Sequence, residues 1–142
     1  MKNRILALVG LALFAAVSAS AQNPNTIEVN VPFAFHAGNQ QMPAGHYLIE
    51  PVSAGSHLLA LRGPGKAFGN VMTHPETAKT VPAQGFVAFH KIGERYFLAG
   101  LWSAGEDGGV ECYPSRAEKE ALEALRRDET LTTLALNTVP AR

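Results

Sequence analysis

The sequence has a single cysteine in 142 residues, so no internal disulfide can staple the fold. It also has no block of like charge. Lys plus Arg and Asp plus Glu number 12 each, and no basic stripe is present of the kind that phosphate backbones require. Nucleic-acid binding is therefore set aside. The longest uncharged apolar run, from Ile5 to Val17, spans 13 residues, whereas a helix needs about 20 to cross the hydrocarbon layer of a membrane. A stable membrane span is not expected, and a lipid-anchored form would need a cysteine near the start, where Cys112 is far away.

The familiar catalytic frames are missing as well. The five histidines, His36, His46, His57, His74 and His90, form no HxH, HxxxH or HExxH arrangement, so no metal site is expected, and they read as residues of turns and strand ends. Ser53, Ser56, Ser103 and Ser115 lack the G-x-S-x-G elbow of a nucleophilic serine. The run from Glu106 to Glu111 lacks the alternating oxygen ligands of a calcium loop. Gly63-Pro64-Gly65-Lys66 is not followed by the Ser or Thr of a phosphate loop, and Pro64 makes it a turn. Glu94 and Arg95 read as solvated charges at a hairpin tip. Cys112 reads as a buried thiol, with a linked dimer as the other option. The expectation is a non-enzyme, with no catalytic residue, no metal ligand and no cofactor; ligand-binding residues are not assigned.

What is present begins with Lys2 and Arg4, the apolar run to Val17, and the small residues Ala19-Ser20-Ala21. That is the layout of a secretory signal peptide, residues 1–21, cut after Ala21. Removing Lys2 and Arg4 with it leaves ten basic residues against twelve acidic. Residues 22–26 read as a short tether, 27–137 as one β-rich domain and 138–142 as a flexible tail. The expected location is exported, periplasmic or extracellular.

Within the domain, Ile27, Val29 and Val31 alternate with polar residues as in a strand with one wet face. His46 to Val52 resumes the pattern beyond the turn-forming stretch Ala37 to Gly45, which predicts a first hairpin. His57 to Leu61 and Phe68 to Thr73 flank Gly63-Pro64-Gly65 and predict a second. His74 to Gln84 reads as a loop. Gly85 to His90 and Arg95 to Trp102 are apolar on both faces, which predicts a central hairpin with Phe86, Phe89, Tyr96, Leu98 and Trp102 in the core. Ser115 followed by Glu118 is a capping-box pattern. It predicts an amphipathic helix from Arg116 to about Arg127, with Ala117, Ala121, Leu122, Ala124 and Leu125 on one stripe. Leu131 to Leu136 alternates as a last strand would. The fold expected is mainly β, an antiparallel sandwich or flattened barrel of seven or eight strands with one C-terminal amphipathic helix.

Val31-Pro32-Phe33-Ala34-Phe35, Gly38, Pro43-Ala44-Gly45 and Tyr47 fit a VPFxFxxGxxxxPAGxY pattern. Phe89-His90, Gly93, Arg95-Tyr96-Phe97-Leu98 and Trp102 fit FHxxGxRYFLxxxW, and Ser115-Arg116-Ala117-Glu118 gives SRAE. With these motifs, over most of residues 27 to 120, the chain resembles a family of small exported bacterial proteins that has no established activity. The resemblance implies fold and export, and it carries over no catalytic residue.

The leading expectation is therefore a non-catalytic exported domain with a binding or structural role in the envelope, its partner an envelope protein. One alternative is a carrier for a small apolar ligand in a barrel cavity lined by Phe35, Tyr47, Phe68 and Phe97. The other is an enzyme with a histidine-based site.

Overall fold

The computed structural model describes residues 9–14, 17–19 and 26–137, with side chains from 26 to 128. Eleven strands precede one helix. They are β1 (Val9–Phe14), β2 (Val17–Ala19), β3 (Ile27–Val31), β4 (Phe35–Ala37), β5 (Gln40–Met42), β6 (Gly45–Pro51), β7 (Leu58–Arg62), β8 (Phe68–Thr77), β9 (Phe86–Ile92), β10 (Arg95–Trp102) and β11 (Gly108–Cys112), followed by α1 (Arg116–Asn137). The strands run in the order β1-β9-β10-β11-β8-β7-β6-β3-β2, and the sheet does not close. Pairing is antiparallel throughout, apart from one parallel contact between Phe97 of β10 and His36 of β4. This is the mainly β architecture with a C-terminal helix that the sequence predicts, a flattened sandwich or open barrel, with eleven strands among the described residues rather than the seven or eight expected.

The ten-residue strand β8 makes the corner between the two layers. Its first half pairs with β7, from Phe68 opposite Arg62 to Met72 opposite Leu58. Its second half pairs with β11, from Thr73 opposite Cys112 to Thr77 opposite Gly108. At the changeover Thr73 is 2% exposed, and both its N–H and its Oγ1 donate to the His57 carbonyl, at 2.8 and 2.9 Å. The corner's polar groups are thus satisfied inside the fold.

The core lies between the layers. Val29, Val31, Tyr47, Ile49, Leu59, Leu61 and Val71 come from one side, and Phe35, Ala37, Met42, Val87, Phe89, Leu98 and Leu101 from the other. Phe35 sits edge-on to Tyr47 at 5.1 Å and to Phe89 at 5.3 Å. Phe33 stacks on Tyr96 at 3.9 Å. The Tyr47 hydroxyl donates to the Pro43 carbonyl, so the largest buried ring brings a partner for its polar end.

Several expectations change. The turn-forming stretch 37–45 carries β5 and the end of β4, which pair as a short hairpin with Phe35 opposite Met42 and bury Phe35, Ala37 and Met42. The glycine-rich run 105–109 leads into β11, where Gly109 passes beneath an indole. A Cβ there would lie 2.3 Å from Trp102 Cδ1, and one at Gly100 would lie 2.6 Å from Trp102 Cζ3. Trp102 and Phe86 accordingly stack on each other at 5.2 Å and are half-buried, while Phe89 and Leu98 are core residues as expected. β8 runs past Thr73 to Thr77, into the stretch read as a loop. Pro75 is tolerated because β7 ends its pairing at Met72, leaving that flank of β8 without a ladder to break.

Leu131 to Leu136 is not a strand. It continues α1 to Asn137, since Leu131 and Leu134 also fit helical spacing and nothing before Pro140 halts propagation. Val9–Phe14 and Val17–Ala19, within the stretch read as a signal peptide, pair with β9 and β3 and form the two ends of the strand order. The rest of that stretch, most of the tether and the tail at 138–142 lie outside the described residues. Among the described residues no helix is long and apolar enough to cross a membrane.

Candidate functional site

Two groups of titratable side chains stand out, one beneath α1 and one on the β8–β11 ladder. Ser115 caps α1, its Oγ accepting from the Glu118 N–H at 3.1 Å, and Asn39 Oδ1, from the β4–β5 turn, accepts from the Ala117 N–H at 3.2 Å. The Glu118 carboxylate does not complete the capping box. It reaches instead to His90 Nδ1 on β9 at 2.7 Å, and Glu118 is 7% exposed. That hydrogen bond raises the His90 pKa above its ordinary value, against partial desolvation, with the charges of Glu118 and Glu111 adding to the rise. A buried carboxylate thereby gains a hydrogen-bonded imidazole partner, and the first turn of the helix is fixed to the sheet at two points, Asn39 and His90.

This joint ties together the three sequence motifs. His90 belongs to the FHxxGxRYFL segment, Glu118 to SRAE, and Asn39 follows Gly38 of the VPFxFxxG segment. Beside it His36 stacks on Phe97 at 4.9 Å. Of the apolar stripe, Ala117, Ala121, Leu122 and Leu125 are half-buried while Ala124 is exposed. Farther along, an open cleft of about 390 Å³ separates Glu94 and Arg95 from Glu120, Ala121, Ala124, Leu125 and Asp128.

The second group is built by strand register. His74 and Glu111 are directly opposite in the β8–β11 ladder, and Glu76 follows His74 by two residues, which places it on the same face. One ligating atom from each of the three lies within 4.8 Å of the other two, with His74 Nε2 3.9 Å from Glu111 Oε2. Tyr113 packs its ring against His74 at 4.8 Å, and Met72, whose carbonyl accepts from the Tyr113 N–H, is exposed nearby on β8. Sequence reasoning missed this group. His74-Pro75-Glu76 lay in a stretch read as a loop, and read as a strand, H-x-E is a same-face pair; Glu111 is a cross-strand neighbour that local spacing does not reveal.

The remaining candidates are dispersed. His46 meets Glu28 at 4.0 Å on the opposite layer, and His57 is exposed. Among the described residues no two histidines meet at one carboxylate. Cys112 is free and half-buried, and burial pushes its thiol up to about 12, far from the range of an activated nucleophile. Of the rings expected to line a cavity, Phe35, Tyr47 and Phe97 are at most 2% exposed, whereas Phe68 faces outward at 46%.

Fold and side chains together define a two-layer β protein with a ring-filled interior and a docked C-terminal helix. No family model, curated protein or solved structure matches the chain.

Proposed function

We propose that the chain is an exported, non-catalytic β domain of the bacterial envelope that acts through its surface, by binding an envelope partner or as a structural element. The observation that carries this reading is the self-packing of the interior. Phe35, Tyr47 and Phe89 meet edge to face where a carried molecule would have to sit. The motif residues support the same view, because Phe33, Phe35, Tyr47, Phe89, Tyr96, His90 and Glu118 find their partners in one another.

Export rests on the n-region, apolar run and small-residue cut site of residues 1–21. The two strands within that stretch are the outermost of the sheet, so cleavage after Ala21 removes them without breaking the pairing of β3 and β6 to β11. The resemblance to small exported bacterial proteins agrees with this reading.

The test is expression of the full chain in a Gram-negative host, with fractionation and mass spectrometry of the product. A periplasmic or secreted product beginning at Gln22 is expected. A cytoplasmic product retaining Met1 or Lys2 would overturn the proposal.

A further inference from the structure

We propose that His74, Glu76 and Glu111 form a surface site for a divalent transition-metal ion, with Zn²⁺ as the fitting occupant. The three side chains belong to neighbouring strands in fixed register, so the backbone sets their positions. Their ligating atoms already fall within 4.8 Å of one another. Four ligands at about 2.0 to 2.1 Å in a tetrahedron lie about 3.3 Å apart, so a shift of about an ångström in the exposed Glu76 and the half-buried Glu111 closes the set.

The orientation of His74 is the second observation. Its Nδ1 faces the Pro75 carbonyl at 3.4 Å. A carbonyl can only accept, so in the neutral imidazole this contact places the hydrogen on Nδ1 and leaves Nε2 its lone pair. That Nε2 is the atom aimed at Glu111. A ligating histidine held by a backbone carbonyl through its other nitrogen is the usual arrangement around bound metals, and here the ring of Tyr113 braces the imidazole from the side.

The donor set selects the ion. Two carboxylates bring two negative charges that a divalent cation neutralises, and one imidazole favours zinc or a similar transition ion over calcium or magnesium. Three protein ligands leave at least one coordination position on the exposed face. Water fills it in the isolated protein, and a carboxylate or imidazole of a partner can replace that water. The exposed Met72 and Tyr113 beside it offer apolar contact to the same partner.

The experiment is calorimetric titration of the chelator-stripped full chain with ZnCl₂. One saturable site per chain is expected. His74→Ala and Glu111→Gln should each weaken binding at least tenfold, whereas His46→Ala, on the opposite layer, should bind as the parent does. All these positions are exposed or half-exposed, and circular dichroism checks that each variant is folded. Anomalous diffraction at the zinc edge should place the ion between β8 and β11. No saturable binding by the parent, parent-like binding by His74→Ala, or equal competition from calcium would each overturn the proposal. None of these outcomes depends on whether the chain is exported.

Discussion

Cys112 shows how burial governs chemistry in this protein. Its thiol, held up to about 12 by loss of solvation with the charges of Glu118 and Glu111 adding to it, is almost wholly protonated at neutral pH, and the thiolate is the reactive form. Native protein should react with a thiol reagent such as Ellman's at pH 8 at least tenfold more slowly than denatured protein. Equal rates would show that the thiol is neither buried nor perturbed. Tyr47 makes the corresponding point for packing. Its ring is fully buried and its hydroxyl donates to Pro43, so Tyr47→Phe leaves a carbonyl without its donor and should cost about 1 to 3 kcal/mol. Phe89→Ala opens a cavity among Phe33, Phe35 and their neighbours and should cost about 3 to 5 kcal/mol. Urea denaturation of both variants measures these losses. A Phe89→Ala protein as stable as the parent would mean that the aromatic interior is not where the stability lies.

The joint between α1 and β9 carries a pH dependence of definite sign. The His90 pKa is raised in the folded protein, chiefly by the Glu118 hydrogen bond, so the folded state binds the proton more tightly than the unfolded chain does. This contribution to stability is fully present below the ordinary histidine value of 6.5 and is lost as pH rises through the higher native value. The melting temperature of the parent relative to His90→Gln should therefore be higher at pH 5.5 than at pH 8.5. A difference independent of pH would show that His90 does not bind its proton more tightly in the folded state. The elements of this joint differ in how well the sequence foretells them. The hairpins β3–β6, β7–β8 and β9–β10 were legible because alternating apolar residues flank clear turn residues, and the start of α1 because Ser115 is a strong cap. The strand β11 was hidden by Gly108 and Gly109, the second of which must lack a side chain to pass Trp102, and the end of α1 by a Leu spacing that suits either structure. The His74–Glu76–Glu111 group was illegible because it depends on register between strands far apart in sequence.

Taken whole, the molecule is a folded sheet turned through β8, closed inside by rings and covered on part of one layer by the first turns of α1. Among the described residues, the segment that reads as a signal peptide contributes the two end strands of the order, and residues 22–142 contain every core residue named above. The central claim is that this interior is complete in itself and that the protein acts from its surface. The most direct test is a crystal structure of residues 22–142 purified from the native compartment. The account predicts Phe35, Tyr47 and Phe89 in mutual contact, with no foreign electron density between the layers. Density for an organic ligand among those rings would contradict it and make the protein a carrier.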